Sequence, residues 1–189
     1  MRKLLTLSMA LLLLSMISKA QLLNKLHPNN GFTESIAKVV ENYQNNYLAI
    51  QGDSLPPDED RDIFQSTIKV PGATECVIYR FHSEEDKTAS WQALLYEGED
   101  FKEASKVYKT AFKNLKQTKF KVGVSSYSFE GSMEDPTEAL RFTSSILRPT
   151  NDSDLYKNFM AEIEIINTIV GWKVRLNLHS RKADTQRYQ

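Results

Sequence analysis

From residue 172 the chain alternates without a break. Trp172, Val174, Leu176 and Leu178 are apolar, while Lys173, Arg175, Asn177 and His179 are polar. Successive side chains of a β-strand point to opposite faces, so this pattern calls for a sheet with one buried face and one wet face. That combination marks an antiparallel sheet. A helix would scatter the same residues around its circumference. The period recurs through Phe64, Ser66, Ile68 and Val70, and again through Trp91, Ala93 and Leu95. Three more runs show it: Phe120, Val122 and Val124; Leu140, Phe142, Ser144 and Ile146; and Phe159, Ala161, Ile163 and Ile165. Residues 75–81 are dense in β-formers. Pro71-Gly72, residues 83–87, Gly123, Gly131, Pro136 and Gly171 punctuate these runs as turns or bends.

Two stretches carry the helical period instead. Phe32, Ile36, Val39, Val40, Tyr43, Tyr47 and Ile50 recur at three- and four-residue steps, which predicts an amphipathic helix capped by Thr33 and ended by Gly52. Pro56-Pro57 then opens an acidic loop over residues 58–62. In the second stretch, Asp100 and Glu103 make a start related to the capping box. Phe101, Ala104, Tyr108, Ala111, Phe112 and Leu115 form its apolar stripe. The expected architecture is α+β: a curved antiparallel sheet of about six or seven strands carrying two helices, in the order α-βββ-α-ββββ. A domain over residues 32–180 would follow a lead-in at 21–31 and precede a polar tail at 181–189. The two helix-plus-meander halves suggest a duplication, but no residue-level repeat supports one.

Residues 1–20 stand apart from this domain. Arg2 and Lys3 precede an uncharged stretch at 4–17, and Ser18-Lys19-Ala20 places small residues where a signal peptidase reads them. The stretch is shorter than the ~20 residues a membrane-spanning helix needs, and no later stretch approaches that length. The expectation is a cleavable signal peptide cut before Gln21, hence an exported protein, periplasmic or secreted, with no transmembrane segment after cleavage. No Cys follows the stretch, which leaves a lipid anchor without an attachment point. Removing Arg2, Lys3 and Lys19 from the 24 basic residues leaves 21 against 24 acidic ones. That near-balance argues against nucleic-acid binding, which favours a strongly basic domain. Cys76 is the single cysteine. Stability must therefore come from packing rather than from an internal disulfide.

Chemistry-bearing motifs are sparse. The chain lacks G-x-S-x-G, H-E-x-x-H and phosphate-cradling glycine loops. Cys76 and His82 share a strand face but lie about 20 Å apart along it, too far for a nucleophile and its base. Cys76 could meet His179 only across strands. Asp58, Asp60 and Asp62 repeat with calcium-loop spacing, yet Ile63 and Lys69 occupy the positions of the turn glycine and the bidentate glutamate. Neither a metal nor a cofactor is expected. Asn151-Asp152-Ser153 matches a glycosylation sequon.

Two surfaces suggest binding. Lys102, Lys106, Lys109, Lys113 and Lys116 step by four, three, four and three through the second helix, and Lys119 and Lys121 continue the run. Any surface helix needs a polar face, but a face of one sign suits an anionic partner: lipid headgroups, an acidic polysaccharide or an acidic protein. Trp91, Tyr96, Tyr127, Phe129 and Trp172 could line a concavity for a small apolar or sugar ligand. The leading expectation is a non-enzymatic binding or accessory protein. An exported hydrolase using strand carboxylates among Glu75, Glu97, Glu162 and Glu164 is the alternative, and a self-associating structural subunit is the third. The oligomeric state is not legible in the sequence.

Overall fold

The computed structural model describes residues 30–82, 88–150 and 154–181. Residues 1–20, read above as a signal peptide, most of the lead-in and tail, the turn at 83–87 and the sequon lie outside these residues. Helix α1 (Asn30–Glu41) leads into a meander of β1 (Gln51–Asp58), β2 (Arg61–Ser66), β3 (Glu75–Phe81) and β4 (Ser90–Gly98). Helix α2 (Phe101–Gln117) then starts a second set: β5 (Lys119–Val122), β6 (Ser125–Glu130), β7 (Phe142–Pro149), β8 (Phe159–Thr168) and β9 (Gly171–Ser180).

The strands make one open nine-stranded antiparallel sheet in the order β1-β2-β3-β4-β9-β8-β7-β6-β5. The α+β class and the two helices on an antiparallel sheet agree with the sequence. The strand count of six or seven does not, and the order is α-ββββ-α-βββββ. The first meander meets the second at β4 and β9, whose register runs from Trp91 opposite Leu178 to Gly98 opposite Trp172.

The two added strands have physical explanations. β1 contains Pro56 and Pro57, which cannot donate to a ladder and read as loop. It is an edge strand with irregular register on both sides of Ser54-Leu55, where missing donors are tolerated. β5 and β6 are joined by the two-residue turn Gly123-Val124, with Val122 opposite Ser125 and Gly123 at φ +59°. What reads as one interrupted strand is a hairpin.

Helix α1 is shorter than its periodicity and begins earlier. It opens at Asn30, so Thr33 lies inside it rather than capping it, and it closes at Glu41. Asn46 and Tyr47 both take left-handed backbone, which no helix continues through, and short 3-10 turns at Tyr43–Asn45 and Leu48–Ile50 carry the chain on. Asparagine tolerates that conformation better than most residues. Tyr47 and Ile50 are buried all the same. β2 likewise ends at Ser66, earlier than the alternation to Val70 implies. The Ser66 hydroxyl donates to the Ile68 carbonyl at 2.9 Å, pulling the chain out of the ladder. Pro71-Gly72 then forms a turn closed by Ala73 N donating to Val70 O at 3.0 Å, with Gly72 at φ +88°.

The core lies between the sheet and the helices. Trp172, Val174, Leu176 and Leu178 face inward from β9, beside Ala161, Ile163 and Ile165 from β8 and Trp91 and Ala93 from β4. Phe32, Ile36, Val39 and Val40 of α1 and Ala104, Tyr108, Ala111 and Leu115 of α2 close over them. Near the β5 edge the core is aromatic: Phe120 stacks on Tyr127 at 5.5 Å, and Tyr156 meets Phe159 edge-on. Cys76 is buried on the inward face and burial pushes its thiol up, which keeps it protonated.

Candidate functional site

Helix α2 forms as its sequence predicts. The Asp100 carboxylate accepts from Lys102 N at 2.8 Å and from Glu103 N at 3.3 Å, satisfying two of the free amides of the first turn. The apolar stripe is buried against the sheet, and Lys102, Lys106, Lys109, Lys113 and Lys116 are all exposed on the opposite side. At about 100° per residue they spread over an arc of about 80°, in the order Lys116, Lys109, Lys102, Lys113, Lys106. Along the axis the row covers about 21 Å at 1.5 Å per residue.

One flank of this row is occupied by the chain itself. Between β6 and β7, residues 131–141 run beside α2 as a strap without helix or strand. The Lys116 ammonium reaches the Gly131 carbonyl at 3.5 Å, and Lys109 pairs with Asp135 at 3.0 Å. Contact thus passes from Lys116 back to Lys109 as the strap advances, so the strap runs antiparallel to the helix. Three features fix it. A Cβ at Gly131 would collide with the Ile146 carbonyl, so only glycine lets the strap start so close to β7. Pro136 is buried. Glu134 N donates to Ser145 Oγ at 2.8 Å, which also meets the Tyr108 hydroxyl at 2.5 Å.

The other flank is open. Lys106 lies 3.9 Å from Glu103 within its own helix. The ammonium groups of Lys102 and Lys113 make no ion pair or hydrogen bond among the described residues. Lys119 and Lys121 are exposed on β5. The lysines were legible in the sequence. The strap's role was not, since nothing in its composition says that Asp135 reaches Lys109.

The aromatic candidates are dispersed rather than gathered around a cavity. Trp91 is fully buried, and its indole N–H donates to Ser66 Oγ at 2.9 Å. Trp172 is buried against Phe101, with centroids 4.8 Å apart, at the far end of the same β4–β9 ladder. Tyr127 and Phe129 belong to the aromatic core around Phe120. Tyr96 is half-buried and donates to the Asp100 carbonyl at 3.1 Å, steadying the start of α2. A cleft of about 210 Å³ opens elsewhere, lined by Leu55, Lys69, Ala73, Thr74, Glu75 and Cys76 among others.

The sheet face turned away from the helices carries a polar ladder. Tyr79 OH donates to Gln92 Oε1 at 3.2 Å, and Gln92 Nε2 donates to Asn177 Oδ1 at 2.7 Å. Arg175 lies 3.3 Å from Glu164, and Lys173 lies 2.9 Å from Glu97. His179 Nε2 is shielded from solvent 3.3 Å from Glu162, though not aligned as a hydrogen bond. Contact with His179 holds the Glu162 carboxyl below its usual range, helped by Ser144 and the positive charge of Arg181 and opposed by burial. His179 faces outward while Cys76 faces the helices, so the two cannot form a catalytic pair. At the tip of the β1–β2 hairpin, Arg61 binds Asp58 through Nε and Nη2, and Asp62 lies 3.2 Å from His82. No group of three His, Cys, Asp or Glu side chains poised to hold a metal ion occurs among the described residues.

Among the described residues no helix is long and apolar enough to cross a membrane. Comparison with known protein families, curated proteins and solved structures finds no match to this chain.

Proposed function

We propose that the protein is an exported, non-enzymatic binding or accessory protein of the cell envelope or the extracellular space, and that it holds an anionic partner on the outward face of α2. One observation carries this reading: five exposed lysines share one arc of a helix capped by Asp100, and two of them have no partner among the described residues. A row of lysines that outnumbers the carboxylates beside it concentrates positive potential where an anion can meet it. Export rests on the signal-like residues 1–20.

The same structure gives the other readings less support. A small apolar ligand would need the inner aromatic residues to surround a space, and Trp91, Tyr127 and Trp172 are instead buried in the core. A hydrolase would need one carboxyl raised to serve as the acid. Glu162 is shifted the opposite way, and Glu164 is paired with Arg175.

The test uses the chain from Gln21 onward and its Lys106→Glu/Lys109→Glu/Lys113→Glu variant. Both are titrated against a polyglutamate peptide, polygalacturonate and vesicles containing phosphatidylglycerol. The wild-type chain should bind at least one of these, and the variant should lose at least about tenfold in affinity, as three reversed charges imply. Equal binding by the two proteins would refute the assignment of the site.

A further inference from the structure

The strap and the open flank of α2 together divide the lysine row into two lanes. Lys109 and Lys116 form one lane, which the strap fills with the Asp135 carboxylate and the Gly131 carbonyl. Lys102, Lys113 and Lys106 form the other, displaced around the helix by about 50° from lane centre to lane centre, at about 100° per residue. Its two unpartnered ammonium groups stand eleven residues apart, about 16 Å along the axis.

We infer that the second lane receives an extended acidic polypeptide segment of a partner protein, lying beside the strap on α2. The inference rests on the α2 reading above and names its partner class. The argument is charge complementarity of a kind the molecule already displays: the Asp135 carboxylate and the Gly131 carbonyl of the strap, which runs along the helix, meet Lys109 and Lys116 on this same face. Lys106 and Lys113 repeat the seven-residue step of Lys109 and Lys116 without the strap.

Other anions fit less well. A membrane surface would favour apolar side chains flanking the lysines, able to enter the headgroup region. No large exposed apolar residue lies on α2, and the exposed Met133 of the strap lies on the first lane's side; Thr110, Gln117 and Glu103 border the second lane instead. A single narrow row matches one chain better than a plane of headgroups. The carboxylate and peptide carbonyl already seated on the first lane favour a polypeptide over a polysaccharide.

The experiment measures fluorescence anisotropy of a labelled twelve-residue peptide of alternating Glu and Ser, in about 0.1 M salt, where screening acts over about 10 Å. Lys102→Gln/Lys113→Gln should weaken binding about tenfold, and Lys109→Gln/Lys116→Gln no more than about threefold, because the strap already occupies that pair. Asp135→Asn should tighten binding about twofold by removing a neighbouring negative charge. All the altered side chains are exposed, and circular dichroism confirms that each variant is folded. Equal losses from the two lysine pairs would overturn the lane assignment while leaving α2 as the binding face. Binding to polygalacturonate or vesicles but not to the peptide would overturn the partner class. Failure of all three ligands would remove the α2 reading itself.

Discussion

Gly171 opens β9 at the seam between the two meanders, and replacing it with alanine tests how that seam is built. Its φ is +110°, outside the left-handed well that asparagine and a few other residues visit. A Cβ built there would lie 2.6 Å from the Gly98 carbonyl oxygen and 2.9 Å from its carbon, both backbone atoms of the β4 end. Backbone strain costs about 1–3 kcal/mol. Pushing β4 and β9 apart adds about 1–3 kcal/mol, as for an overpacked core. The sum is about 4 kcal/mol. At 2–4 °C per kcal/mol for a chain of this size, the melting temperature should fall by about 12 °C. Gly123→Ala is the control. Its φ is +59°, and nothing lies within 4 Å of the added atom, so only left-handed strain acts. That strain of about 1–2 kcal/mol is offset by the smaller entropy of the unfolded alanine chain, leaving a net loss of about 1 kcal/mol. Urea unfolding of both variants, followed by circular dichroism, reads the difference. If Gly171→Ala costs no more than Gly123→Ala, the close approach of Gly98 to Gly171 is not as described and the reasoning fails.

Two further outcomes follow from buried polar groups. Ser66→Ala should destabilise the fold by about 1–3 kcal/mol, since the Trp91 indole N–H loses its acceptor in a fully buried site; an unchanged urea midpoint would contradict it. The Glu162 carboxyl is depressed in the folded state, so its contribution to stability is fully present above the unfolded pKa and is lost as pH falls through the folded value. The stability difference between the wild-type chain and Glu162→Gln should therefore shrink as pH falls through and below the ordinary carboxylate range. Urea midpoints measured from about pH 5.5 down to about pH 3 check this, and a difference that grows over that range would reverse the sign of the argument.

Where the sequence could be read, one local rule governed the outcome. β3 runs over residues 75–81 as its composition implies, β9 keeps its strict alternation, and Asp100 caps α2 with its own side chain. Each depends on residues adjacent in the chain. The misreadings came from tertiary context. Two prolines hid β1 because only its edge position makes them harmless, and position in a sheet is not written locally. The apolar period of α1 continued to Ile50, and burial continued with it, but the left-handed pair Asn46-Tyr47 broke the backbone. Arg80 helps hold that break: its guanidinium donates to the Asn46 carbonyl at 2.9 Å from β3, which no periodicity reveals.

The candidate site divides in the same way. Five lysines at helical spacing announce an exposed cationic face, and the structure exposes all five. Which of them stay unpartnered depends on the strap, whose path is set by Gly131, Pro136 and the Ser145 hydroxyl, residues with no common period. The inner aromatic residues had the converse problem. A strand pattern shows that Trp91 and Trp172 face inward but not whether the space before them is empty, and helix side chains fill it.

The central claim is that the protein's ligand meets the outward face of α2. Its most direct test is a nuclear magnetic resonance titration of the isotope-labelled chain with the Glu/Ser peptide, following lysine side-chain and backbone signals together. The account predicts saturable shifts at Lys102, Lys113 and Lys106, smaller ones at Lys109 and Lys116, and unmoved signals for Arg175, Asn177 and His179 on the far sheet face. Shifts centred on Arg175 and His179, with the α2 lysines unchanged, would contradict it.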